Sequence, residues 1–491
     1  LFDDDQDIVT DEELENAAST RTDAANADAF VRAYPDTYRY VQEWGLWIAW
    51  DGTRWSLPGG KDGARDSVLQ AVVRTARVRE HSMRTLLAQV EADIVTRMAQ
   101  MQDASELEHR KKWALAELKW LEQSQNAARV HACEGLARGR LGIPMKALDS
   151  HPWLFNVQNG TIDLRTGELR GHERSDYLTQ LSPIEYDKNA LAPTWEQFLY
   201  RAMGDNMQLV TYLRRLAGYT LTGVTGEQCL AFHHGHTGGN GKSTFLGALR
   251  DLMGEYSCAA PRTLLFEPRN GAPPHPTELA RLYGKRLATC SEVPEDVELA
   301  EAKVKDLTGG DVLPVRRMSE NFWDLHPTHK LHMAGNHKPI VKGTDGGIWR
   351  RIKLVPWLVC IPPEERDGEL PAKLRAELPG ILAWAVMGCL EWQQSGLQEP
   401  AEVTEAGETY RDESDMLSDF FDLLTFRAGE VVPASAVYAR YEMWARSMGL
   451  NLASPYTLGR RLRVKGATAK TFRLNGKPTR GWHGVRFATT E

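Results

Sequence analysis

Apolar residues recur along this chain with two different periods, and the switches between them mark its elements. Val41 to Trp55 alternates aromatic and polar positions around Asp51-Gly52, the pattern of a β-hairpin. Its tryptophans fit the core of a small domain first and base stacking second. From Asp66 to about Arg138 the period is helical, with a break near Ala104-Ser105. Short strands punctuated by Asn159-Gly160 and Thr166-Gly167 follow over residues 153–169, then helices from Thr194 to about Thr222. Next comes an unbroken apolar run at Ala231, a glycine-rich loop over residues 235–241, and a helix opening at Ser243 and ending near Met253. Residues 285–291 read as the next buried strand, 301–307 as a helix, 315–323 as a hairpin and 330–335 as a strand, with a further strand beginning near Ile348. Strands alternating with helices predict an α/β sheet whose ligands sit at the carboxyl ends of the strands. Toward the end, 410–426 and 434–448 read as helical. Ser454-Pro455 opens another helix that runs to about Val464, and strands at 468–474 and 482–487 flank an Asn475-Gly476 turn. Three helices and a basic hairpin predict a winged helix.

The length of 491 residues predicts about three domains. The expected divisions are an acidic tail over 1–30, a mostly helical accessory domain with some β structure over 31–190, an α/β core over 191–400 and the winged helix over 401–491. With 42% hydrophobic and 25% charged residues the chain has enough apolar material for sizeable cores. The net charge of −7 gives no global sign of nucleic-acid binding, but its distribution does. Residues 3–28 carry one base, Arg21, whereas residues 454–487 carry nine bases and no acid. Arg460, Arg461, Arg463 and Lys465 are therefore candidates for DNA contact. A second basic stretch, Arg110, Lys111, Lys112 and Lys119, reads first as a solvated helix face. Six dispersed cysteines without Cys-x-x-Cys spacing argue against a zinc site and fit a reducing, cytoplasm-like compartment. The absence of a long uncharged apolar run predicts no membrane partner. The chain begins with Leu1 rather than Met, which fits a piece of something longer.

The strand–loop–helix at Ala231 to Thr244 has the layout of a phosphate-binding P-loop. Gly238, Gly239, Asn240, Gly241, Lys242, Ser243 and Thr244 are the candidate nucleotide-binding residues. Backbone N–H groups would curl around phosphate oxygens, Lys242 would reach the β- and γ-phosphates, and Ser243 would hold Mg²⁺. The position six before Lys242 is His236, with the nearest upstream glycine at 235. Either the loop is one residue longer than usual or Gly238 and Gly239 supply the turn. Glu292, directly after the 285–291 strand, is placed to orient Mg²⁺ and the attacking water, in a strand expected beside that of the loop. Asn336, ending the 330–335 strand, would contact the γ-phosphate or its water.

In order, Lys242, Glu292, Asn336 and Arg351 resemble the Walker A, Walker B, sensor 1 and arginine finger of superfamily 3 DNA helicases. More narrowly, the chain resembles the helicase half of the phage and plasmid primase-helicases, related to the poxvirus primase-helicase. The motifs that carry this are residues 238–244, 284–292, 305–311, 336–339 and 348–351, with 159–169 similar to that family's accessory domain. The resemblance spans roughly residues 35 to 490. It implies an AAA+-like α/β P-loop ATPase core, ATP and Mg²⁺ as substrate and metal, a homo-hexameric ring on single-stranded or forked DNA, and 3′-to-5′ travel. Arg351, helped by Arg350, would reach the neighbouring subunit's ATP, and Arg316 and Arg317 would grip DNA from a hairpin in the ring channel. That hairpin's tip, 318–322, lacks Lys or His and carries Glu320, so Asn321 or Phe322 would share the task. Only one acid ends the Walker B strand, which leaves Glu295 or Asp296 as possible helpers. The implied function is an ATP-dependent helicase of a replicating mobile element, working with a fused or separate primase. The alternative is an ATP-gated DNA-binding scaffold ring that recruits a primase without unwinding. A packaging motor or small-molecule kinase fits the 308–311 segment and the basic ending less well. The Asp3-Asp4-Asp5 cluster sits in a polar tail and gives no priming site.

Overall fold

The computed structural model describes residues 21–488 except 268–275, 296, 317–320, 344–345, 415–416, 449–451, 453 and 475. Asp3-Asp4-Asp5, Asp296, Arg317, the hairpin tip through Glu320 and Asn475 therefore lie outside the described residues, as does the side chain of Arg460.

The first helix, Asp23–Ala33, starts where Thr22 accepts a bond from the Ala25 amide. Tyr38–Val41 pairs antiparallel with Leu46–Trp50, a pairing the sequence did not predict, and Leu46–Trp50 pairs with Trp55–Ser56 around Asp51-Gly52 as the expected hairpin. Its alternation has a structural cause: Trp47 and Trp55 are 2% and 1% exposed, so these rings belong to the core. Trp47 Nε1 donates to Glu134 at 2.7 Å. The helical stretch divides into Gly60–Ala99, Ser105–Ser124 and Ala127–Arg140, breaking where the Ala104-Ser105 signal placed it. Lys111 is ion-paired with Glu91 on this surface.

Residues 154–170 form a three-stranded antiparallel sheet. The expected boundary at residue 190 is not a packing boundary. Phe155, Val157, Ile162 and Tyr186 share one buried cluster with Trp195, Phe245 and Leu382. Arg286 ties the same junction from inside: its guanidinium donates to Leu154 O and Leu221 O, both at 2.6 Å, and lies 4.7 Å from the Tyr256 ring centroid. Leu221 ends the helix Met207–Leu221, so a cation there meets carbonyls that the helix leaves unpaired.

The central sheet has five parallel strands: β1 (Leu230–His234), β2 (Ser257–Ala259), β3 (Leu287–Ser291), β4 (Lys330–Gly335) and β5 (Ile352–Pro356), in the order β5-β1-β4-β3-β2. Two expectations change here. A short strand, β2, precedes the 285–291 strand. The strand ending at Glu292 is also not beside the loop strand, because β4, bearing Asn336, pairs with β1 and separates them. Neither point shows in linear order, because apolar runs of this length carry no pairing information. Helix α1 (Lys242–Met253) follows β1. The helix Leu378–Ser395 crosses Met207–Leu221 so closely that a Cβ at Gly388 would lie 2.0 Å from Arg214 O. Between β3 and β4, Leu313–Val315 and Trp323–Leu325 pair as the expected hairpin.

The last unit differs from its expected helix at 410–426. The helix Ala401–Glu413 ends early, Ser418–Asp422 is a short helix, and β6 (Leu424–Pro433) is a strand. Its register shifts between Phe426 and Val431, and this irregularity hides the alternation. Helices α2 (Ala434–Ser447) and α3 (Pro455–Val464) precede β7 (Thr468–Leu474) and β8 (Lys477–Phe487), and the sheet order is β6-β8-β7. No helix among the described residues is long and apolar enough to cross a membrane.

Candidate functional site

The loop between β1 and α1 is shaped by three glycines, each for its own reason. Gly239 and Gly241 have φ of +78° and +92°, a region that favours residues without Cβ. Gly235 has ordinary dihedrals, but a Cβ there would lie 2.6 Å from Trp357 O and 3.0 Å from Lys242 Nζ. The loop thus starts at Gly235 and turns at Gly239 and Gly241, whereas a Cβ at Gly238 would meet nothing within 4 Å. Among the described residues, no backbone carbonyl accepts a hydrogen bond from the N–H groups of residues 236–244. Together with the start of α1, these donors form a cradle suited to an anion.

Lys242 is 8% exposed, and burial pulls its pKa down. Its Nζ donates to Asn336 Oδ1 at 2.9 Å, Gly235 O at 3.0 Å and Asn240 Oδ1 at 3.2 Å. Asn240 is held in turn by its Nδ2, which donates to Val359 O at 2.8 Å. The structure therefore brings together Lys242, Asn240 and Asn336 from three separate segments. Ser243 is exposed on the first turn of α1 and Thr244 is half-buried. Glu292 stands apart. It is exposed at the end of β3 with φ of +62°, and it accepts a 3.0 Å bond from Arg262. Two strand spacings, roughly 10 Å, separate its strand from β1. Glu295 is exposed nearby.

The arginine pair lies at the opposite edge of the sheet, before β5. Arg351 turns inward: it is 9% exposed, with bonds to Gly347 O at 2.7 Å and Thr308 Oγ1 at 3.2 Å. Arg350 is the exposed member, donating to Gln228 Oε1 at 2.8 Å. The order favoured by sequence, Arg351 before Arg350, is thereby reversed for any contact outside the subunit. In the hairpin, the Arg316 guanidinium lies 4.9 Å from the exposed Phe322 ring. In the last unit, Arg461 and Lys465 line a cleft with Glu408 and Asp412, while Arg463 is exposed with its guanidinium 5.6 Å from the Trp482 ring.

Sequence reasoning did not anticipate a buried polar chain beneath the loop. Trp357 Nε1 donates to His233 Nδ1 at 3.1 Å, so His233 carries its proton on Nε2 and donates to His332 Nδ1 at 3.2 Å. His332 Nε2 then donates to Thr220 Oγ1 at 3.0 Å, and that hydroxyl donates to Leu216 O at 2.7 Å. Polar residues within unbroken apolar strands were the available signal. Burial holds both imidazoles neutral: it pushes His332 down to about 3 and His233 well below its usual value. His329 and His234 are each lowered to about 4, also chiefly by burial. In the unfolded chain all four titrate near 6.5. Their neutral forms impose no cost above that value. As pH falls from about 6.5 toward 4, the unfolded chain takes up protons that the folded one refuses, so stability declines. Each such proton contributes about 1.4 kcal/mol per pH unit. Neither ring nitrogen of His329 has a hydrogen-bond partner among the described residues. His329→Phe is therefore expected to reduce the pH slope of unfolding free energy by about one proton over this window, as measured by denaturant titration. An unchanged slope would show that His329 is already protonated in the fold.

The class these elements define is an α/β protein with a parallel five-stranded sheet and a glycine loop, lysine and amide gathered at its carboxyl edge. Residues 27–204 match the sequence profile of the family described as "D5 N terminal like", and residues 233–351 match one described as a family of unknown function. The chain is 27% identical over 300 residues to "Putative helicase L207/L206" of Acanthamoeba polyphaga mimivirus, covering 56% of this chain and 31% of that protein. It is 24% identical over 422 residues to "Putative helicase 022R" of Frog virus 3, covering 69% and 42%. It is 23% identical over 229 residues to "Putative primase C962R" of African swine fever virus, covering 46% and 24%. The chain thus spans 31–42% of the length of the viral helicase-named relatives it matches. A solved structure of the NrS-1 C-terminal region superposes with a TM-score of 0.44 and 11% identity, covering 65% of this chain and 87% of that one. These matches make the chain similar to viral proteins named as helicases and primases.

Proposed function

We propose that this chain is the ATP-driven helicase portion of a viral or phage replication protein, with a P-loop core of the superfamily 3 type. The observation that carries the reading is the Lys242–Asn336 bond at the mouth of a loop whose N–H donors are free of backbone partners. That arrangement suits the phosphates of ATP. Lys242 would exchange its protein acceptors for β- and γ-oxygens, and the released Asn336 amide would orient the attacking water or the γ-phosphate. No group of three metal-binding side chains occurs among the described residues. Ser243 and Glu292 are both exposed, however, and fit a Mg²⁺ whose remaining ligands come from the nucleotide. That ion would supply charge neutralisation between the phosphates. Arg350 at the far edge of the sheet suits a contact with a neighbouring subunit's ATP, which requires a ring; six subunits and 3′-to-5′ travel are what the superfamily 3 resemblance implies. The partners proposed are single-stranded or forked DNA and a priming activity, fused or separate, and the compartment is a host cytoplasm. DNA-stimulated ATP turnover tests the reading directly, and no turnover with or without DNA would overturn it.

The alternative, an ATP-gated DNA-binding ring, has one observation in its favour: Glu292 is engaged by Arg262 and does not touch Lys242.

A winged helix is proposed for residues 418–487, supported by their helix–strand–helix–helix–strand–strand order, with DNA contact on its outer face. Arg463, Lys470 and Arg473 are exposed there, whereas Arg461 and Lys465 line a cleft of mixed charge with Glu408, Arg411 and Asp412. Replacing Arg463, Lys470 and Arg473 with Ala is expected to weaken DNA binding. It should also flatten the log–log salt dependence by about 0.9 for each phosphate that the variant no longer neutralises. An unchanged salt slope would place DNA elsewhere.

A further inference from the structure

We propose that Arg366 binds the terminal phosphate of a nucleoside triphosphate held in its own chain's loop. The proposal rests on the nucleotide-site reading above and adds a residue that no motif marks. The segment leaving β5 is fastened along the loop. Trp357 N donates to His234 O at 2.7 Å, Asn240 Nδ2 to Val359 O at 2.8 Å and Ile361 N to Gly239 O at 3.0 Å. After the turn at Pro363–Glu365 the chain folds back, and Arg366 Nε donates to Ile361 O at 2.8 Å. This places the guanidinium directly on Gly239. A Cβ built there would lie 2.3 Å from Nη2 and 2.8 Å from Cζ. The positive φ of Gly239 favours glycine, and the absence of a side chain there lets the arginine lie against the loop.

Arg366 has acids on both sides but uses none of them. Glu365 pairs with Arg201, Asp367 pairs with Lys373 at 2.6 Å, and no ion pair among the described residues holds Arg366. Its side chain is exposed and anchored through Nε, which leaves the four N–H donors of the two Nη groups available. An arginine fork matches phosphate oxygens in a bidentate manner. Lys242 reaches toward the β/γ end of a bound triphosphate, and Gly239 lies on the exposed outer lip of the loop. The phosphate within reach of Arg366 is therefore the terminal one. Its role in cis is distinct from that of Arg350, which faces away from this loop.

The test is equilibrium binding of ATP and of ADP, each with Mg²⁺, to wild type, Arg366→Ala and Arg366→Lys, with melting of the ligand-free proteins in parallel. Arg366→Ala is expected to weaken ATP about ten-fold or more while changing ADP by less than about two-fold, and to leave the ligand-free melting temperature unaltered. Arg366→Lys should recover part of the loss. Unchanged ATP affinity, or equal losses for ATP and ADP, would overturn the role of Arg366 while leaving the nucleotide site standing. Wild-type protein that binds neither nucleotide would overturn the nucleotide site itself.

Discussion

Lys242→Ala is expected to lower ATP turnover by at least about 10²–10³-fold, the range found when one preorganised hydrogen-bond donor is removed from an oxyanion site. The folded state should tolerate the change. The three acceptors of Nζ are two side-chain amides and Gly235 O beside an open loop, where water can replace the ammonium. The replacement also removes a cation that burial already disfavours. A melting temperature close to wild type with turnover lost is therefore the result expected. Lys242→Met, which keeps the volume but not the charge, should behave alike. Turnover within a few-fold of wild type in either variant would contradict the assignment of the loop.

Arg350→Ala is expected to lower turnover by about 10³-fold or more, as removal of an arginine acting in trans does in phosphoryl transfer. The geometry forbids a role in its own site. β5 pairs in parallel with β1, and Pro356 lies opposite His234 at the loop end. Arg350 precedes the other end of β5, roughly 17 Å or more away at about 3.3 Å per residue. A nucleotide that it contacts would therefore have to belong to another copy of the chain. Mixing Arg350→Ala with Lys242→Ala should then restore turnover: interfaces that join an intact Arg350 to an intact Lys242 form only in the mixture. Arg351→Ala should differ in kind. Its buried guanidinium satisfies Gly347 O and Thr308, so its loss costs about 1–3 kcal/mol of stability, read by denaturant titration. Mixed rings that recover no turnover, or an Arg351→Ala protein of full stability that does complement, would contradict this division of roles.

Much of the site was legible because its chemistry is local. A glycine loop after an apolar run, and a polar residue ending each of two strands, mark Lys242 and Asn336, which the structure brings together, and Glu292, which it leaves apart. What stayed hidden depends on pairing and on approach through space. The insertion of β4 between β1 and β3 cannot be read from linear order. The inward turn of Arg351 and outward turn of Arg350 are set by a four-residue helix, Gly346–Trp349, too short to show a period. Arg366 carries no signal at all, because its place on Gly239 follows from the fold-back of residues 357–365, which lie between β5 and Arg366. The strand β6 was lost to its own bulge, while the Asp51-Gly52 hairpin and the break at Ala104-Ser105 showed because turn chemistry is encoded in adjacent residues.

The central claim is that ATP hydrolysis at Lys242 and Glu292 drives strand separation. The direct measurement is unwinding of a forked DNA with ATP and Mg²⁺ by wild type and by Glu292→Gln. The account predicts separation by wild type and none by the variant, which keeps the shape of Glu292 but loses its charge. Equal unwinding by both proteins would contradict it, and so would wild-type ATP turnover with no separated strand.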